Sequence, residues 1–158
     1  MKVIFPAGPA SRPADMRAAR VHTAQPQPLP SGAWQVLTFE GQAFDSRAFH
    51  DPHAAPAQLT VPAGAGGVYV IGGFVSFVGD PAGRRVLAVL VNDEPVAYAS
   101  AAGMPNGATA HVNASTVTLL GDGDRVALGA LQDSGFPLTL NAPGDSPGAA
   151  LWLARLPG

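Results

Sequence analysis

Glycine and proline interrupt this chain at short intervals from end to end, 19 and 16 of them among 158 residues. Between them lie brief runs rich in valine, leucine and aromatic side chains. Such punctuation excludes a long amphipathic helix and favours short strands joined by turns. Trp34-Gln35-Val36-Leu37-Thr38-Phe39 alternates large apolar with smaller or polar residues, as a half-buried strand does. Residues 44–56 read as irregular and polar. Further strands are predicted over 58–61, 68–78, 85–91, 96–100, 109–120, 125–131, 136–140 and 150–156. Asn92-Asp93-Glu94-Pro95 reads as a hairpin turn. Gly72-Gly73, in the middle of a long apolar run, suggests a bulge or a close backbone approach. About nine short strands at this spacing predict an all-β sandwich or jelly roll.

The first 33 residues differ. Pro6, Pro9, Pro13, Pro26, Pro28 and Pro30 rule out a long helix and donate nothing to a sheet interior. Residues 13–21 predict a short helix with Pro13 in its first turn, and residues 25–30 an extended polyproline-like segment. Thirty extended residues reach on the order of 100 Å. The division expected is therefore a proline-rich arm over 1–33 and a β domain over 34–158. Residues 1–30 carry Lys2, Arg12, Arg17 and Arg20 against Asp15, and the remainder five arginines against ten acids. A basic arm on an acidic body would dock onto a neighbour's acidic surface, with Phe5, Arg12, Arg17 and Arg20 as its contact residues.

Charged residues make up only 13% of the chain, about half the usual share, while hydrophobic residues reach 47%. So little charge signals a surface covered by a partner, and burial in an oligomer is the expectation. A net charge of −2 gives no general attraction to nucleic acid or membrane. With no cysteine, disulfides, thiolate chemistry and cysteine-based zinc sites are excluded. Met1-Lys2-Val3-Ile4-Phe5 is cut off at Pro6, so no signal peptide is expected, and no apolar run approaches membrane-spanning length. Synthesis in a host cytoplasm follows as the expectation.

Residues 60–77 (TVPAGAGGVYVIGGFVSF), 84–97 (RRVLAVLVNDEPVA) and 115–135 (STVTLLGDGDRVALGALQDSG), followed by a short apolar final strand, form a familiar order. In this the chain resembles the C1q/TNF-like jelly-roll superfamily, particularly its bacterial and phage versions, from about Trp34 to Leu156. The resemblance implies a homotrimer whose subunits pack by an apolar sheet face around a threefold axis. Tyr69, Phe74, Phe77 and Trp152 are the residues expected in that interface.

Signals for chemistry are weak. His50-Asp51-Pro52-His53 holds two imidazoles and a carboxylate, but no further ligand sits at motif spacing. Gly121-Asp122-Gly123-Asp124 offers oxygens of the kind calcium takes, yet four residues do not make a six-to-eight-ligand site, and a strand-connecting turn explains them. Ser134 lacks a nucleophile elbow, and His22, His50, His53 and His111 have no recognisable acid partner in sequence. No enzyme, metal or cofactor is expected. The reading is a structural virion accessory protein: a bacteriophage capsid decoration protein, trimeric, clipped to a capsid shell by its arms. The alternative is a receptor- or glycan-binding head of a tail fibre or bacterial surface assembly.

Overall fold

A computed structural model of the chain describes residues 15–78, 80–105, 108–140 and 148–158. Among these lie twelve strands and no helix: β1 (Ala18–His22), β2 (Gln27–Leu29), β3 (Gln35–Val36), β4 (Gly41–Asp45), β5 (Leu59–Thr60), β6 (Gly67–Val78), β7 (Arg84–Val91), β8 (Glu94–Ala102), β9 (Thr109–Leu120), β10 (Arg125–Gln132), β11 (Leu138–Leu140) and β12 (Ala149–Arg155). Two sheets face each other. One runs β4-β1-β12-β6-β9, and the other β3-β10-β7-β8 with β5 also on β10. A strip of β2 and β11 closes one side. The result is an all-β jelly-roll sandwich.

Period-two alternation builds the core. From β6, Tyr69, Ile71, Val75 and Phe77 point inward, and they meet Leu87 and Val89 of β7 and Val126, Leu128 and Ala130 of β10. The glycine pair in β6 makes no bulge, since β6 pairs with β9 and β12 without a register shift. It provides close approach instead. A methyl group on Gly73 would lie 2.4 Å from a Leu128 methyl carbon, so Leu128 of the facing sheet packs into the space that the missing side chain leaves. The β7–β8 hairpin turns on Asn92 and Asp93 alone, both in the left-handed region at φ 51° and 70°. Such a two-residue turn matches the twist of its strands.

The arm boundary expected at residue 33 is corrected. Residues predicted as a short helix hold β1, which pairs on both sides, with β12 and with β4. Interior sheet hydrogen bonding on two edges outweighs the helix preference of an Ala- and Arg-rich stretch. Pro28 lies in β2, paired with Thr139 of β11 on the margin of the sandwich. Buried Gln132 locks that strip down: its Nε2 donates to the carbonyls of Leu29 and Phe136, and its Oε1 accepts from the Ser134 amide and hydroxyl. Residues 44–56 also contain order that polarity concealed, because β4 reaches into them. Asp45 accepts from the amides of Arg47, Phe49 and His50 there.

Candidate functional site

The outer face of the five-stranded sheet presents a broad set of apolar side chains. Outward positions alternate along its strands: Val68, Val70 and Phe74 on β6, Val117 and Leu119 on β9, Ala150, Trp152 and Ala154 on β12. Val117 is 57% exposed and Leu119 74%. Register places Phe44, Arg20, Trp152, Gly72 and Ser115 in one row across all five strands. Gly72 is what lets Trp152 lie flat against the sheet, since a methyl group there would sit 2.9 Å from the indole. Beside that row is a hollow of about 370 Å³ bounded by Arg20, Phe44, Phe74 and Trp152. Arg20 is exposed and forms no ion pair among the described residues. At the rim, the Ser76 hydroxyl lies 2.9 Å from His111 Nδ1.

Of the four residues expected in a trimer interface, Phe74 and Trp152 lie on this face. Tyr69 and Phe77 do not, and that part of the expectation is corrected. Tyr69 is fully buried, set edge-on to Phe49, with its hydroxyl donating to the Ala65 carbonyl at 2.5 Å. Burial pushes its phenol above the ordinary range, against the opposing pull of Arg155 and Arg17. Phe77 is buried beneath the Arg85 guanidinium, which stands 5.8 Å above its ring. Arg85 is itself buried and donates to the carbonyls of Asp80, Ala82 and Arg84. Residues 69, 74 and 77 cannot share one face of a strand of period two. The sequence signal that finds the face is the opposite parity, 68, 70 and 74.

The arm residues divide as well. Phe5 and Arg12 lie outside the described residues. Arg20 belongs to the sheet face just described. Arg17 is tied to the body, donating to the Gly64 carbonyl at 2.8 Å and pairing with Asp15.

The loop clusters are occupied by structural hydrogen bonds. Asp122 accepts from the amides of Gly64 and Gly66, which hold its carboxyl below the ordinary range. Asp124 accepts from the Asn92 side chain and the Gly121 amide, with the same consequence. Both carboxylates therefore face donors rather than a cation. Asp51 caps its own turn through the amides of His53 and Ala54. No group of three or more metal-ligating side chains converges among the described residues. Ser134 bonds to Gln132 and the Phe136 carbonyl, not to a histidine.

The facing sheet carries a narrower feature. Trp34, Val36, Pro95 and Tyr98 border a trough of about 270 Å³ on its outer surface. Small residues at Ala88 and Gly129 form the floor, and the Trp34 ring lies over Gly129.

No protein-family model and no curated protein sequence matches the chain. Among solved structures it is similar to the globular domain of zebrafish complement 1qA protein, at TM-score 0.60 and 17% identity over 89% of this chain and 96% of that one. Eiger TNF from S. frugiperda aligns at TM-score 0.60 and 14% identity, over 90% and 93% of the two chains. Murine APRIL aligns at TM-score 0.63 and 12% identity, over 89% and 99%. The chain thus has a C1q/TNF-like jelly-roll fold.

Proposed function

We propose that this chain is a non-enzymatic assembly protein. It forms a homotrimer through the outer face of its five-stranded sheet and decorates a bacteriophage capsid surface, with its N-terminal segment as the clip to the shell. The observation that carries the trimer is the apolar face itself, with Phe44, Phe74, Trp152, Val117 and Leu119 presented together in a chain of such low charge. Contiguous apolar surface of this kind is the ordinary mark of a protein–protein contact. The resemblance noted in the sequence supports the same mode of packing. The capsid role draws its support from the contrast between the basic residues 1–14 and the acidic body.

Two measurements test the proposal. Light scattering at micromolar concentration should return three times the 16.0 kDa chain mass, and a monomer would overturn the trimer. Removal of residues 1–14, which stops short of β1, should leave three chains per particle and abolish sedimentation with capsids. Undiminished capsid binding would overturn the clip. A second reading, a receptor- or glycan-binding head, is favoured by the Trp34–Tyr98 trough. It requires binding to cells or glycans to survive the same truncation.

A further inference from the structure

We propose that the Trp34–Tyr98 trough binds a neutral hexopyranose, whose ring stacks on the Trp34 indole while its hydroxyls bond to Asp93. The inference rests on the receptor-head reading above and deepens it. It involves neither the five-stranded face nor the N-terminal segment.

The trough joins apolar and polar surface in the way a sugar does. Register sets Val36, Gly129, Ala88 and Tyr98 in one row across β3, β10, β7 and β8. The two small residues sink the middle of that row. Trp34 lies over Gly129 and leaves half of its surface in water, and Tyr98, on the opposite margin of the sheet, is 61% exposed. A pyranose has a face of slightly positive C–H groups, which the electron-rich face of an aromatic ring attracts. Around that face runs a rim of hydroxyls that need partners.

Polar groups stand where that rim would lie. The Asp93 carboxylate lines the trough and pairs with Arg125 at 2.9 Å. Asn92, bonded to Asp124 and to the Arg125 amide, anchors the turn that carries Asp93. An accepting carboxylate beside a donating guanidinium, held on a two-residue turn, suits two adjacent hydroxyls of one ring. Among the described residues, no hydrogen bond engages the Tyr98 hydroxyl or the Trp34 indole N–H, so both are open to a ligand.

The floor decides against a peptide. Gly129 and Ala88 are each paired on both sides, so their amides and carbonyls are committed to the sheet. A peptide laid over them would strip water from its own amides and find no backbone partner, which is costly. A sugar carries its polar groups at the edge, where the walls meet them. Charge then selects among sugars: Asp93 and the exposed Glu94 beside it outnumber Arg125, so a sialylated, sulfated or phosphorylated ring meets net repulsion. Size limits the occupant as well. The trough holds about 270 Å³, below the roughly 300–1,000 Å³ of sites for drug-sized molecules, which is room for a single ring or a short disaccharide.

The full chain is tested with the methyl glycosides of glucose, galactose and mannose. At least one should receive saturation from the protein at its ring C–H protons in saturation-transfer NMR. The same glycoside should change the fluorescence of a Trp152→Phe variant, which keeps Trp34 as its sole tryptophan, and saturate in the millimolar range. Trp34→Ala should lower that affinity about tenfold, and Trp34→Phe should retain most of it. Asp93→Asn should lower it about fivefold while keeping the turn, since asparagine tolerates the left-handed φ of 70° there. No binding of any of the three glycosides would overturn the proposal, as would an affinity unmoved by Trp34→Ala. Tighter binding of N-acetylneuraminic acid or of a hexaproline peptide would overturn it in favour of an anionic sugar or a protein partner. Cell binding that persists in Trp34→Ala would overturn this site and leave the receptor-head reading standing. Glycoside binding lost in Trp34→Ala, in a chain that binds no cells, would uphold the site and overturn that reading.

Discussion

The two sheets of this sandwich are alike on their inner faces and unlike on their outer ones. Inside, both present aliphatic and aromatic side chains at every second position. Outside, the five-stranded sheet spreads apolar residues over most of its breadth, and its one exposed arginine in the central row has no partner among the described residues. The facing sheet instead gathers Trp34, Val36, Pro95 and Tyr98 around one trough, with exposed ion pairs near both ends of the sheet, Arg125 with Asp93 at 2.9 Å and Arg84 with Asp133 at 3.0 Å. Breadth and depth select different occupants. A broad, shallow apolar surface gains most from another folded surface laid across it, whereas a narrow trough gains most from a small, slim ligand.

The largest expected effect that would break this contrast is on the broad face. Trp152→Ala should weaken self-association by about 2–4 kcal/mol, as for a buried aromatic anchor, and bring the scattering mass towards that of one chain at micromolar concentration. Tyr98→Ala on the facing sheet should leave the mass unchanged. If Tyr98→Ala also dissociates the protein, the two faces have been assigned the wrong way round.

A smaller difference separates two glycines that face outward on opposite sheets. Gly72→Ala puts a methyl group 2.8 Å from the Ala114 carbonyl oxygen and 2.9 Å from Trp152, so backbone must shift, at a cost of about 1–3 kcal/mol in denaturant unfolding. Gly129→Ala meets Trp34 at 3.4 Å and Leu90 at 3.7 Å, close to ordinary contact, and should change stability by less than about 1 kcal/mol. Similar costs for both would show that the floor of the trough is as tightly packed as the broad face.

The smallest effect comes with acid. Backbone and side-chain donors hold Asp122 and Asp124 below the ordinary carboxylate range in the folded chain. Their contribution is present in full above the unfolded value near 4 and fades as pH falls through the lower folded value. The thermal midpoint should therefore drop below about pH 4, and Asp122→Asn should shallow that drop. An unchanged acid limb in the variant would show that these loops do not help to hold the end where the trough opens.

How far the residues foretold this arrangement depends on the element. β6, β7, β9 and β10 were legible because long runs of alternating β-branched and apolar residues have few competing readings. β1 was not: its Ala18-Ala19-Arg20 favours a helix locally, and only two flanking strands, β4 and β12, remote in sequence, make it a strand. β4 hid behind polar Gln42 and Asp45, which an outward position and a turn cap explain. For the site, Phe74 and Trp152 stood out as large apolar residues on strands. Tyr69 and Phe77 looked equivalent, because size says nothing of which way a side chain points. Parity along β6 does, once Phe74 is placed outward. The trough was invisible in sequence, since its walls come from β3, β7, β8 and β10 and its depth from the smallness of Gly129 and Ala88.

Arg20 gives the broad face a property that its apolar area alone would lack. Two such faces brought together at an arbitrary angle would strip water from a guanidinium that finds no carboxylate opposite, and an unpaired buried charge costs several kcal/mol. Only an arrangement that leaves Arg20 in water, or brings an acid to it, avoids that penalty. In the proposed trimer one cation would thus act as a proofreader, tolerating the matched neighbour and rejecting the many misaligned encounters that grease by itself would accept.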